Sequence, residues 1–202
     1  MGVLRPLLIL RPYLVVALAG MLPRVAEAQS AQPVSLQASG LFNGVFGNLF
    51  QDLQDGFGGE AQVRYTPGAL SVGAGFQYTS HAFRGRTERA RLYGGFIEPR
   101  YRIHAGSNVA APYLSVRFSL LKVGITGGDL SLTSNFIQLN GGGGLLVRLG
   151  PRINLDLGAT YGYDRLSAGE LRSASSGASL PVEASSGANA MIRLGLAVGI
   201  GG

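Results

Sequence analysis

The residues best suited to catalysis lie at one end of a single predicted strand. Ser80 and His81 are adjacent, and a serine hydrolase needs a histidine within hydrogen-bond reach of its nucleophile, with a carboxylate to orient that histidine. Adjacent residues of a strand point to opposite faces, so Ser80 and His81 are poorly placed to serve each other. The second histidine, His104, lies in a predicted turn and is expected to be solvated. The sequence therefore predicts no catalytic site.

Two other stretches lack the spacing that a phosphate or a metal ion needs. The "GAG" at 73–75 has no third glycine and lies in a predicted strand, whereas dinucleotide loops open a helix. The "DLQDG" at 52–56 offers too few oxygen ligands for a calcium loop. The four glycines at 141–144 are expected to permit strand curvature or close packing of interior side chains. We predict neither a cofactor nor a metal site.

The N-terminal segment has the form of a signal peptide. Arg5 and Arg11 precede the apolar run at 13–22, and the small-x-small "AEA" at 26–28 resembles a cleavage site. That run is shorter than the ~20 residues of a spanning helix. We predict a signal peptide over 1–28 and a mature domain over 29–202.

The composition argues against an ordinary soluble domain. Charged residues make up 14% of the chain and Lys122 is the only lysine, whereas about 25% of residues are charged in typical proteins. There is no cysteine, so an exported protein of this kind must gain stability from packing or closure. The formal net charge of +6 favours phosphate-bearing partners, depending on where the charges lie.

Eight segments alternate between apolar and polar residues. They lie at about 33–43, 57–66, 69–79, 90–103, 110–120, 135–149, 153–163 and 188–200. The connections at 66–68, 104–109 and 150–152 are short, and those at 44–56, 80–89, 121–134 and 164–187 are long. Membrane barrels have strands of ~9–11 residues, short periplasmic turns and longer extracellular loops. The pattern predicts an all-β fold, an eight-stranded antiparallel up-and-down transmembrane β-barrel.

The two phases of the alternation differ in charge. The apolar phase, which includes Leu155 and Leu157, carries no charged residue and is predicted to face lipid. The other phase is predicted to form a charge network in the barrel interior, made of Glu60, Arg64, Glu98, Arg100, Arg102, Arg117, Arg148, Asp156, Asp164 and Arg193. Charges in such an enclosed space must pair, because an unpaired buried charge is costly.

Three segments carry a resemblance to a known family. "GALSVGAGFQYT" (68–79), "APYLSVRFSLL" (111–121) and "LLVRLGPRINLDLGATYGY" (145–163) resemble the small eight-stranded outer-membrane β-barrel domains of the OmpA/OmpX type. The resemblance implies a bacterial outer-membrane location, a monomer, and insertion by the barrel assembly machinery. One departure is the ending "LAVGIGG", where such barrels commonly finish on an aromatic residue.

The predicted long loops hold two further features. The first loop carries Phe46, Leu49, Phe50 and Leu53 at helical spacing, which fits a short amphipathic turn resting on the membrane or the barrel rim. The second loop and its flank carry a basic cluster made of Arg84, Arg86, Arg89 and Arg91, opposed by Glu88. This cluster is either a solvated loop or a site for phosphates of lipopolysaccharide. Nucleic acid is not expected, because no aromatic residues interleave with the arginines.

These features favour a structural or surface-interaction protein that meets an extracellular ligand through its long loops. A large-solute porin is not expected, because side chains fill the interior of an eight-stranded barrel. The alternatives are a lipid-modifying enzyme of the outer membrane and a narrow pore for small solutes. A soluble lipocalin-like carrier is the third interpretation, disfavoured by the scarcity of Lys and Glu.

Overall fold

The computed structural model describes residues 32–126, 130–173 and 179–200, so the predicted signal peptide at 1–28 lies outside the described residues. Within the described ranges, no helix is long and apolar enough to cross a membrane.

Eight long strands form a closed antiparallel barrel. They are β1 (Val34–Phe46), β2 (Leu53–Tyr65), β3 (Leu70–Phe83), β4 (Arg89–Arg102), β5 (Ala110–Thr126), β6 (Leu130–Arg148), β7 (Ile153–Leu166) and β10 (Ser185–Ile200). Each pairs with its neighbour in sequence, and β1 pairs with β10 to close the sheet. This confirms the predicted eight-stranded antiparallel barrel.

The strands extend farther than predicted at the end of the barrel that carries the long connections, here called the loop end. The stretch 121–134, expected as a loop, is largely the paired ends of β5 and β6. The stretch 164–187 contains a hairpin of β8 (Gly169–Ser173) and β9 (Ser179–Val182), and β8 pairs with β6. Strand pairing continues here because it needs only backbone hydrogen bonds. Alternation of apolar and polar residues appears only where one face of the strand meets lipid, so it ends before the pairing does.

The other end, here called the turn end, has three short connections, as predicted. Between β1 and β2, at the loop end, a 3-10 helix covers Asn48–Phe50. The predicted short turn is therefore confined to residues between Phe46 and Leu53, which belong to β1 and β2. Of its two predicted positions, the barrel rim fits better than the membrane, because Phe50 is buried against strand residues of the barrel.

The barrel exposes an apolar belt. Leu145, Leu157 and Leu194 lie side by side across β6, β7 and β10, and Leu157 and Leu194 are 40% and 57% exposed. Exposed tyrosines lie toward both ends of the strands, such as Tyr65 at the turn end and Tyr163 at the loop end. Apolar residues outside and charges inside are the arrangement of a barrel in lipid.

The interior changes character along the barrel axis. Its middle is filled by buried charged and amide side chains. Its loop end is lined by a cluster that we call the apolar mouth, made of Phe50, Leu92, Leu121, Val123, Phe136 and Leu166.

A bulge in β2 helps to build the apolar mouth. The pairing of β2 with β3 shifts register between Leu53 and Gly56, so two intervening residues of β2 oppose a single residue of β3. An extra residue reverses which face the following side chains take. Leu53 consequently packs against the apolar mouth, while Phe57 remains 69% exposed on the outer face.

Candidate functional site in the barrel interior and at the outer rim

Glu98 is the hub of an ion-pair cluster in the middle of the barrel. Its side chain is fully buried, and its Oε2 lies 3.1 Å from a guanidinium nitrogen of each of Arg64, Arg100, Arg117 and Arg193. Its Oε1 accepts a second hydrogen bond from Arg193, at 3.2 Å. Alternation brings these residues inward from four strands, and closure of the barrel brings the strands together.

Two further carboxylates neutralise the same arginines. Asp156 Oδ2 lies 2.9 Å from Arg100 Nη1 and 3.3 Å from Arg193 Nε. Glu60 Oε2 lies 2.6 Å from Arg117 Nη1. Four guanidinium groups thus share three carboxylates, and this set of seven residues is called the Glu98 cluster below.

Aromatic rings cover the cationic groups of this cluster. The guanidinium carbon of Arg117 lies 4.0 Å from the centre of the Phe96 ring, and that of Arg100 lies 4.5 Å from the centre of the Tyr113 ring. The Tyr113 hydroxyl donates to Asp156 Oδ1 at 2.6 Å and accepts from Arg193 Nη2 at 2.9 Å. Tyr113 is not one of the site residues predicted from the sequence. Its position on the inward phase of β5, which it shares with Arg117, is the signal that marks it as an interior residue.

Glycines make room for Tyr113 and Arg193. A Cβ at Gly158 would lie 2.8 Å from the Tyr113 hydroxyl oxygen and 2.9 Å from Arg193 Nη2, and one at Gly144 would overlap Tyr113. The glycine run is predicted to permit close packing of interior side chains, and at Gly144 it does so by leaving space for the Tyr113 side chain. The space that these glycines leave is occupied by the Tyr113 and Arg193 side chains.

The three other predicted interior charges make contacts at other heights along the barrel axis. Asp164 accepts hydrogen bonds from Gln138 Nε2 at 3.1 Å and Asn189 Nδ2 at 2.8 Å, nearer the loop end. Arg102 donates to the Gly68 carbonyl, and the half-buried Arg148 donates weakly to that of Gly150, both at the turn end. The structure thus brings seven of the ten predicted charges together at one level.

An amide layer lies between the Glu98 cluster and the apolar mouth. Gln77 Nε2 donates to Gln138 Oε1 at 3.3 Å, and Asn140 Nδ2 donates to Asn189 Oδ1 at 2.6 Å across the interior. Gln77 Oε1 also accepts from Arg117 Nη1 at 3.2 Å, which connects the amides to the ion pairs. A connected polar layer of this kind stiffens the interior.

Ser80 and His81 face opposite sides of the barrel wall. His81 is buried, with Nδ1 3.1 Å from the Gln54 carbonyl oxygen and Nε2 3.3 Å from Thr79 Oγ1. The Ser80 hydroxyl accepts a hydrogen bond from Arg89 Nε at 2.8 Å on the outer face. The two side chains cannot act as nucleophile and base together. No group of His, Asp and Glu side chains in the described residues could hold a metal ion.

The predicted basic cluster divides into two parts. Arg84 and Arg86 lie exposed in the turn between β3 and β4, whereas Arg89 and Arg91 lie exposed on the outward face of β4. Lys122 is exposed on β5, where its Cα pairs with that of Tyr93. We call Arg89, Arg91 and Lys122 the outer basic patch.

The outer basic patch lies next to aromatic residues. Tyr78 and Tyr93 pair across β3 and β4, and Ser80 and Arg91 form the next outward pair toward the loop end. Lys122 is diagonal to Arg91 on the same face, a separation of about 7–8 Å between backbones. Positive groups just beyond an aromatic pair lie where lipid headgroups begin.

No protein-family model matches the chain, and neither does any curated protein. The fold is similar to those of several solved structures, including the following three. Neisserial surface protein A shares 18% identity, with a TM-score of 0.64 over 83% of this chain and 97% of its own. A major outer membrane protein of Thermus thermophilus shares 18%, with a TM-score of 0.54 over 83% and 98%. The attachment invasion locus protein of Yersinia pestis, Ail, shares 15%, with a TM-score of 0.52 over 82% and 96%. The resemblance to small eight-stranded outer-membrane barrels is confirmed for the fold.

Proposed function

We propose that the chain is a bacterial outer-membrane barrel with a structural or surface-interaction role at its loop end, and that it is neither a large-solute porin nor an enzyme. The observation that carries the proposal is the filled interior. The Glu98 cluster, the amide layer and the apolar mouth occupy successive levels of one narrow barrel. The lumen offers no wide path for solutes, so the functional surfaces are the rim and the outer wall.

Planar-bilayer recording of the purified protein tests the closed interior. The parent protein is expected to show no steady ohmic conductance. Tyr113→Ala enlarges the space beside Gly144 and Gly158, but it is expected to remain without conductance because the amide layer and the apolar mouth still close the lumen toward the loop end. Tyr163→Ala is the matched control, because Tyr163 is 55% exposed on the outer face.

Steady conductance in the parent protein, lost on denaturation, would contradict the closed interior and support the narrow-pore alternative. Retention of heat-modifiable gel mobility by Tyr113→Ala shows that the barrel still forms, so that a conductance change can be assigned to the lumen. The alternative of a lipid-modifying enzyme requires a different nucleophile and base from Ser80 and His81.

We further propose that the outer basic patch, with Arg84 and Arg86 of the adjacent turn, binds phosphate groups of lipopolysaccharide. Arginine fits phosphate oxygens with two parallel donors, and the aromatic pair Tyr78 and Tyr93 fits the border between acyl chains and headgroups. The hydrogen bond from Arg89 to Ser80 fixes one of these side chains against the wall.

Retention of lipopolysaccharide during purification tests this binding. Replacing Arg89, Arg91 and Lys122 with Ala is expected to reduce the retained lipid. The difference from the parent protein should be largest at low salt and shrink at high salt, because salt screens exposed charges. Arg152→Ala is the control, since Arg152 is exposed at the turn end, away from the leaflet that holds this lipid.

Phosphorylated and dephosphorylated lipid A, compared in nanodiscs, separate headgroup binding from acyl-chain contact. Equal retention of both lipids by the parent protein would contradict phosphate recognition. Recognition by the barrel assembly machinery, a monomeric state and an extracellular ligand for the loops remain predictions.

A further inference from the structure

A cavity of about 220 Å³ lies in the apolar mouth, between the 3-10 helix at Asn48–Phe50 and the walls of β2 to β7. Its walls are mainly hydrocarbon side chains, contributed by residues such as Leu92, Val123 and Phe136. The polar residues at its border, Asn48, Gln51 and Asp52, all belong to the first loop. The cavity therefore has an apolar interior and a polar border on the loop side.

The layer of side chains below the cavity, toward the turn end, is polar. On β6 the inward residue that follows Phe136 toward the turn end is Gln138, and on β7 the one that follows Leu166 is Asp164. Gln138 and Asp164 are hydrogen-bonded to each other within the amide layer. An apolar ligand that reached the amide layer would bury these polar groups without offering them hydrogen bonds, which is unfavourable. Such a ligand would therefore stay on the loop side of the amide layer.

The cavity depends on the bulge in β2. If the same sequence paired without a bulge, Leu53 would share the outward phase of Phe57, and the mouth would lack its wall beside Phe83. Bulges re-aim side chains and are frequent next to binding sites. The strand thus turns one apolar side chain inward at the level of the cavity.

The size of the cavity limits the guest. Apolar cavities of about 150 Å³ lined by Leu, Ile and Phe bind benzene. A volume of about 220 Å³ accommodates one aromatic ring with a small substituent, and it is too short for an extended acyl chain. We infer that the apolar mouth is a binding site for a small single-ring apolar compound, with a polar substituent of the guest directed at Asn48, Gln51 or Asp52.

Toluene titration in lipid nanodiscs tests the site. The parent protein is labelled with 13C in the methyl groups of Leu, Val and Ile. Methyl signals of Leu92, Val123 and Leu166 are expected to shift and saturate, while those of the lipid-facing Leu194 shift linearly as toluene partitions into the bilayer. Linear shifts at all four residues would overturn the inference.

Substitutions of cavity-lining residues distinguish toluene binding in the cavity from toluene partition into the bilayer. Ala90→Leu adds volume at a cavity-lining residue and is expected to abolish saturation, whereas Ala61→Leu makes the same change on the lipid-facing side and is expected to leave it unchanged. Val123→Thr keeps the side-chain volume but adds a hydroxyl, and is expected to move the saturation midpoint to higher toluene concentration.

Val123→Thr keeps the test decisive if Ala90→Leu fails to form the heat-modifiable barrel. Unchanged saturation in Val123→Thr, or in a folded Ala90→Leu, would overturn the site. Decane in place of toluene is expected to give no saturation, and an equal response to decane would overturn the single-ring limit.

Discussion

The Glu98 cluster and the apolar mouth occupy the same barrel and share the inward faces of β4, β5 and β7, yet their chemistry is opposite. On β4 both Leu92 and Glu98 point inward. The neighbours of Glu98 on the outer face are Ile97 and Pro99, whereas Leu92 is flanked by Arg91 and Tyr93. Where the outer face is apolar the inner face is charged, and where the outer face carries charge the inner face is apolar.

The same inversion occurs on other strands. Arg117 lies between the exposed Val116 and Phe118, whereas Val123 lies between Lys122 and Gly124 on the same strand. A strand in lipid must place its apolar side chains outward, which leaves polar ones for the interior. Above the lipid the outer face meets water, so the interior becomes an ordinary hydrophobic core. The level at which the pattern reverses therefore marks the outer border of the membrane.

The largest expected effect comes from removing the hub carboxylate. Glu98→Gln leaves four buried guanidinium groups to two carboxylates, and breaking a buried ion pair costs about 3–5 kcal/mol. The chain has no tryptophan, so denaturant unfolding in detergent is followed by far-UV circular dichroism. Glu183→Gln, at an exposed residue near β10, is the control and should be nearly neutral. A loss below about 1 kcal/mol for Glu98→Gln would remove the hub role.

A smaller effect is expected on the lipid-facing belt. Leu157→Arg should cost about 2–4 kcal/mol, because Leu157 lies in the row of exposed leucines near the middle of the barrel wall. Leu157→Met conserves volume and polarity and should change stability little. The same denaturant titration in lipid vesicles measures both variants, and equal stability of the two would remove the assignment of this face to lipid.

The apolar mouth should be less sensitive than the Glu98 cluster. Leu166→Ala is expected to cost about 2 kcal/mol, at the low end of the range for buried Leu→Ala, because a cavity already lies beside Leu166 and its contacts are incomplete. Leu149→Ala at the turn end is the control, since Leu149 is 58% exposed. If unfolding experiments find Leu166→Ala more costly than Glu98→Gln, the ranking of the two levels is wrong.

A difference of comparable size separates two positions of the glycine run that face opposite sides of the barrel wall. Gly144→Ala would press its Cβ against the backbone oxygen of Leu157 and against the Tyr113 side chain, and should cost about 1–3 kcal/mol because both must move. Gly141→Ala points outward with nothing within 4 Å and should be neutral. Equal stabilities of the two variants would show that the packing around Gly144 does not require a glycine there.

The amino-acid sequence determined the wall of the barrel. A strand repeats every two residues, so alternation alone assigns each side chain of β7 or β10 to a face, and connection lengths order the strands. Those local rules predicted the closed barrel and the inward direction of residues such as Glu98 and Arg193. They did not assign a face to Leu53, which was expected in the first loop and which the structure places in β2, because the bulge that follows it reverses the phase and leaves no mark in the composition.

Only the tertiary structure decided which inward side chains meet. Contacts across the interior depend on the height of each residue along the axis, which follows from the strand tilt and stagger fixed when the barrel closes. This is why Glu98 gathers four arginines while Asp164 joins two amides nearer the loop end. The cavity beside Leu166 also results from closure. It is lined by side chains from six strands and the first loop, and no single strand determines how closely these side chains pack.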